Sequence, residues 1–284
     1  MASPAKKLKD NSLSPIDLLL ASISELRKRQ TSKSAHLYRT SLRRFLAWNA
    51  VVQPKLDEEK KQALKSLNKL RKITGKLRDS EVHLDLLEQL DTKAANEKKR
   101  VEKVLRSRRK SAKRKLITLI SDGDWKRYSR ALRLLGEPPL AKQESGNHRL
   151  SGANQLALDE YRAFVRSRAP LSPENLHSYR LACKSFRYTA ELAGETPQVR
   201  SLVDTWKKVQ DASGDWHDYL VLAELTEEVC GDCTLHSLLI GLRDKKYDES
   251  VLAVEEAERK LLAPPAVVPK KEPRSAPVQR RRAG

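Results

Sequence analysis

The chain has 284 residues, 39% of them apolar and 33% charged, with 57 Lys and Arg against 37 Asp and Glu. That length can bury a real core in one large domain or two modest ones. The formal charge of +20 favours polyanionic partners, whether nucleic acid, an anionic membrane surface or a phosphate polymer, and few β-branched runs argue against a sheet-dominated fold.

Residues 1–13 read as a disordered lead. Ser14, Pro15 and Asp17 form a helix start, with a cap hydroxyl, proline at the first position and an acid in the first turn. Ile16, Leu19, Leu20 and Ile23 continue it as an apolar stripe. A polar break at residues 31–34 leads to a second helix running to about Pro54. On it His36, Arg39 and Arg43 share one face, while Tyr38, Leu42 and Phe45 face the other way. A long helix is expected from about Leu56 to Leu90, with Lys65, Lys69, Lys72 and Lys76 on one face and Gly75 interrupting its interior. A helix over residues 94–120 carries eleven Lys or Arg between Lys98 and Lys115; a solvated helix side is the plainest account of that run. A turn at residues 121–124 precedes a short helix from Trp125 to Leu135, ended by Gly136 and Pro138–Pro139. Residues 137–153 suit a link between halves.

The second half repeats the plan. A helix at about 154–168 precedes Ser172-Pro173-Glu174, another capped start, and a helix stopped near Gly194. On that helix His177, Arg180, Lys184, Arg187, Tyr188 and Glu191 share a face, and Tyr179, Cys183, Phe186 and Ala190 oppose them. His177 follows His36 by 141 residues, and Arg180 and Lys184 stand where Arg39 and Arg43 do. Gly75 and Asp79 likewise match Gly214 and Asp218. Helices at about 198–230 and 232–262 follow, then a basic Pro-rich tail over residues 263–284, expected to be disordered. Two similar halves suggest a pseudo-twofold arrangement with both cationic faces turned to a shared cleft. Three cysteines make no disulfide framework, which favours a reducing compartment. No apolar stretch is long enough to span a membrane, and the start lacks the apolar core of a signal peptide. The cytoplasm is the expected address.

These residues resemble the CHAD family, the conserved histidine α-helical domain. Its first pattern stands here as His36-Leu37-Tyr38-Arg39-Thr40-Ser41-Leu42-Arg43-Arg44. The second runs from His177 through Arg180, Lys184, Arg187 and Tyr188 to Glu191-Leu192, and Gly75-Lys76-Leu77-Arg78-Asp79 and residues 209–218 are similar linking elements. The match covers roughly residues 15–260. The resemblance implies an all-α fold: two pseudo-symmetric helical bundles, an internal duplication, around a central basic cleft or channel. The domain would run over 14–262, as 14–136 and 154–262. It also implies binding of long-chain inorganic polyphosphate, in some relatives on polyphosphate granules. Carried over residue by residue, the anion-facing set is His36, Arg39, Arg43, Arg44, Arg78, His177, Arg180, Lys184, Arg187 and Tyr188. Lys65, Lys69, Lys72, Lys76 and Lys208 join on helical phase and charge. The second half departs from the first in placing His217 near where Arg78 stands, with Asp211 and Asp215 beside Lys208.

A flexible phosphate chain without bases calls for repeated cations: Arg as a two-toothed fork, Lys as a point charge. His36 and His177 suit either a contact to phosphate or a role in helix packing. Cys230-Gly231-Asp232-Cys233 is a lone C-x-x-C lacking the ligands of a zinc site. Glu256-Ala257-Glu258-Arg259-Lys260 matches the motif that opens triphosphate-tunnel barrels, but too little chain follows, so it reads as a charged helix face. No nucleophile with a base, paired-metal carboxylate set or phosphate-binding glycine loop is visible. The expected function is therefore non-enzymatic, with no cofactor or metal. The alternative is non-specific nucleic-acid binding through residues 98–115 and the basic tail.

Overall fold

The computed structural model describes residues 14–52, 57–121, 128, 130–132, 134–135 and 150–263. The lead 1–13, the turn after Ser121, much of the 125–135 stretch, the link 137–149 and the tail 264–284 lie outside the described residues. Every regular element among the described residues is helical. The α-helices are α1 (Pro15–Lys28), α2 (Ser32–Val52), α3 (Glu58–Gln89), α4 (Ala95–Leu119), α5 (Ala153–Ser167), α6 (Pro173–Ala190), α7 (Pro197–Cys230) and α8 (Thr234–Leu262), with a 3-10 turn over Glu191–Ala193 after α6.

Local chemistry sets the helix ends. Ser14 accepts the N–H of Asp17 at 3.2 Å ahead of Pro15, and Asp57 accepts that of Lys60 at 2.8 Å to start α3. Before α6, the Ser172 N–H donates to Asn175 Oδ1 at 2.9 Å. Thr196 caps α7 by accepting the Val199 N–H at 3.2 Å. Gly194 (φ 88°) and Gly231 (φ 70°) turn the chain after α6 and α7 in the left-handed region that glycine occupies at little cost.

The apolar stripes pack into three clusters. The first joins α1–α4, with Leu19, Ile23, Tyr38, Leu42, Phe45, Leu70 and Leu116, and takes in Tyr128, Ala131, Leu132 and Leu135. The second joins α5–α8 around Tyr161, Tyr179, Phe186 and Trp206. The third ties the ends of α3 and α4 to α7 and α8 through Leu87, Val101, Leu105, Leu222, Leu225 and Leu239. Tyr38, Phe45, Tyr179 and Phe186 are all buried, as their helical phase predicts.

The Glu256–Lys260 motif is absorbed into this packing. Glu256 pairs with Lys208 of α7 at 3.3 Å. Glu258 pairs with Arg168 and accepts the Tyr179 hydroxyl at 3.1 Å. Lys260 donates to Thr205 Oγ1 at 2.9 Å. Each member ties α8 to a neighbour. Cys183, Cys230 and Cys233 are free thiols.

Candidate functional site

The site begins with two arginines lying against two glycines. Burial of Tyr38 and Phe45 turns Arg39 towards α3, where its Nη1 donates to the Arg71 carbonyl at 2.9 Å. A β-carbon on Gly75 would stand 2.4 Å from that nitrogen. Burial of Tyr179 and Phe186 in the same way turns Arg180 towards α7, where a β-carbon on Gly214 would meet Nη2 at 3.2 Å. The glycines are there because a guanidinium occupies the space a side chain would take.

The cations on α2 and α6 act on one another. Burial and then the charges of Arg180, Arg43 and Arg39 push Lys184, only 8% exposed, down to about 6. Burial and Arg43 bring Arg39 down to about 10, against the opposing pull of Asp79. Arg180 is lowered by burial, offset by Asp218 and Asp79 and reinforced by Arg43. His36 is lowered by burial and by Arg78, Arg43, Arg39 and, from α6, Arg187. At the edge of the group Glu191 receives Arg44 at 3.1 Å and Arg187 at 3.7 Å, clasping α2 to the end of α6.

Asp218, Asp79 and Asp211 supply counter-charge to Arg180, and the first is compromised. Burial raises Asp218 to about 6; Arg180 opposes this, while Asp79 and Asp215 add to it. The imidazoles of His177 and His217 lie 4.6 Å apart, centroid to centroid. Burial lowers both, and His177, Arg180 and Lys184 help bring His217 to about 4. Among the described residues the buried Nδ1 atoms of both histidines and the buried Nε of Arg180 have no hydrogen-bond partner, and the buried Nε of Arg187 has only its 3.7 Å ion pair with Glu191. An unmade hydrogen bond on a buried polar group is costly. A zone crowded with cations and with an unpartnered guanidinium N–H on Arg180 has the chemistry to receive an anion.

The predicted residues divide. Arg39, Arg43, Arg78, His36, His177, Arg180, Lys184 and Arg187 influence one another within this zone. Arg44 borders it. Lys65, Lys69, Lys72 and Lys76 are exposed on α3, about a quarter turn from Gly75, as a ridge beside the gathered cations. Lys208 is tied to Glu256. Tyr188 is buried, with the Arg187 guanidinium 4.4 Å above its ring centre, so it supports a cation. Arg71, which holds Arg39 and lines a cavity of about 350 Å³ with Arg43, Lys184 and Tyr188, was not among the sequence candidates. Its place one turn before Gly75 was the available signal. His83, one turn after Asp79, was missed as well. Among the described residues no group of three or more His, Cys, Asp or Glu is placed to hold a metal ion.

The CHAD domain model matches residues 16–227. The chain belongs to the CHAD-domain family. Two solved structures share the fold. One is a CHAD domain from the plant Ricinus communis, 17% identical with a TM-score of 0.61, covering 88% of each chain. The other is PptA from Streptomyces chartreusis, 16% identical with a TM-score of 0.59, covering 87% of this chain and 95% of that one. At these identities the likeness of this CHAD protein to both is one of fold. No curated protein matches its sequence. Among its described residues no helix is long and apolar enough to cross a membrane.

Proposed function

We propose that this CHAD protein is a non-enzymatic binding module for long-chain inorganic polyphosphate. The chain would lie in a basic cleft where α2 and α3 of one half meet α6 and α7 of the other. The observation that carries this reading is the paired placement of Arg39 on Gly75 and Arg180 on Gly214, with the buried Nε of Arg180 lacking a hydrogen-bond partner among the described residues. The two arginine–glycine contacts are taken as copies of one unit, so an internal duplication accounts for the cleft's two cationic walls. Arg forks grip pairs of phosphate oxygens, and Lys184 adds charge once an anion stabilises its ammonium form. Bases are not needed. Phe45, Tyr179, Phe186 and Trp206 are spent in the core, leaving few aromatic platforms for stacking nucleotides. Family membership supports the same ligand, and association with polyphosphate granules follows from it.

The test is competition. Long-chain polyphosphate displaces labelled single-stranded DNA at about tenfold lower phosphate concentration than DNA displaces labelled polyphosphate. Affinity falls about a hundredfold or more between roughly 50 and 200 mM salt. Polyphosphate incubated with the protein and Mg²⁺ keeps its chain length. Equal competition by DNA, or shortening of the polymer, contradicts the proposal.

A further inference from the structure

The basic run on α4 has a second partner surface. Arg106, Arg109, Lys110 and Lys113 stand at i, i+3, i+4 and i+7, one stripe of the helix. Val101, Leu105, Ala112 and Leu116 bury the neighbouring face. The stripe is largely exposed, and it also walls a hollow. With Lys33 at the start of α2, the Gln30–Thr31 turn, and Leu77 and Glu81 of α3, it lines a cavity of about 660 Å³. Glu81 is the one acid among the described lining residues. Leu77 and Glu81 lie a third of a turn or more away from Gly75 and Asp79 around α3, so this cavity opens on a different side of that helix from the Arg39–Gly75 contact.

The start of α2 adds to the positive character. The Thr31 hydroxyl accepts the Ser34 N–H at 3.2 Å, and the Thr31 carbonyl accepts that of Ala35 at 2.9 Å. Ser32 and Lys33 are residues of the cavity lining, and at the first turn of α2 their N–H groups have no intrahelical acceptor. Four neighbouring cations on one helical stripe repel one another, and among the described residues only Arg106 is relieved, by Glu102. A multiply charged anion would relieve the rest. Among the described lining residues there is no aromatic ring to stack a base, and Leu77 is the single large apolar side chain. The stripe from Arg106 to Lys113 spans about 10 Å, the reach of a few neighbouring phosphates.

We infer that this cavity is a second anion site that takes a compact, base-free ligand bearing several neighbouring phosphates. Such phosphates can come from a phosphorylated polyol or from a short phosphate chain. The site is independent of the polyphosphate reading of the cleft, because Lys33, Arg109, Lys110 and Lys113 are not part of that group.

The test uses the full chain carrying Arg39→Ala and Arg180→Ala, so that the cleft contributes less. Inositol hexakisphosphate, tripolyphosphate and ATP are titrated by calorimetry. One site per chain is expected for at least one of the first two probes, and the tighter of them identifies the source. ATP binds no tighter than tripolyphosphate. Adding Arg109→Gln and Lys113→Gln weakens the preferred probe about tenfold or more, with helicity retained. If that pair lowers the helicity, Lys33→Gln with Lys110→Gln serves instead. Absence of saturable binding, indifference to both pairs, or tighter binding of ATP overturns the inference. Loss of the cleft proposal shows up separately, as long-chain polyphosphate binding that ignores Arg39→Ala and Arg180→Ala.

Discussion

Arg39 fills the space over Gly75: its Nη1 would stand 2.4 Å from any β-carbon placed there, and it is held by the Arg71 carbonyl at 2.9 Å. The neighbour is the far end of a flexible side chain, so Gly75→Ala is accommodated by moving the guanidinium. Alanine is also better than glycine in a helix interior by about 1 kcal/mol. Gly75→Ala is therefore expected to leave Tm within a few degrees while weakening polyphosphate binding about tenfold. Gly214→Ala, at 3.2 Å from Arg180, is expected to do less. Thermal unfolding and a binding titration on the two variants check both statements.

On the polyphosphate proposal, Lys184 is kept for binding at the expense of stability. It is buried, and its pKa is pushed down to about 6 by burial, Arg180, Arg43 and Arg39. Lys184→Met removes a buried amine and keeps most of the volume, so it is expected to stabilise the ligand-free protein by about 1–3 kcal/mol at neutral pH. The unfolded chain binds the lysine proton more tightly than the folded one, so the wild type gains stability as pH rises above about 6. The gap between the two proteins should narrow on going from about pH 7 to about pH 9.5. Denaturant unfolding at the two pH values measures it. The same variant should bind polyphosphate more weakly.

Binding should take up protons. Lys184, His36 and His177 all have lowered pKa values in the ligand-free protein, with burial the leading cause. A bound polyanion favours their charged forms and raises those values. Asp218, raised to about 6, loses its competing charge on acidification. Every sign agrees: affinity rises as pH falls from about 8 to about 6. Calorimetry in two buffers of different ionisation heat should report net proton uptake; release, or a flat profile, would contradict the electrostatic description of the site.

Much of the fold could be read from particular residues. Ser14-Pro15-Asp17 and Ser172-Pro173 mark helix starts, Gly194 marks a stop, and the phases of Tyr38 and Tyr179 separate a packed face from a cationic one. These signals are local, so the chain carries them openly. Depth and partnership are not local. Helical phase puts Lys184 with Arg180 but cannot say that Lys184 is buried and Lys72 exposed. The partner of Arg44 is Glu191, 147 residues away, and the partner of Lys208 is Glu256 on α8. Arg71 escaped notice because its role is to hold Arg39 through a backbone carbonyl, a contact with no sequence signature. The charged motif at Glu256, Glu258 and Lys260 gained its meaning only when α8 was seen against α5, α6 and α7.

The central claim is that half-buried arginines on α2 and α6, rather than overall positive charge, hold the polymer. The most direct measurement compares two triple variants of equal net charge for affinity to long-chain polyphosphate. One carries Arg39→Ala, Arg180→Ala and Arg187→Ala; the other carries Lys99→Ala, Lys103→Ala and Lys115→Ala on the exposed side of α4. The account predicts a loss of about a hundredfold or more for the first and about threefold or less for the second, with helicity unchanged in both. Equal losses, or retained binding in the arginine variant, would contradict it.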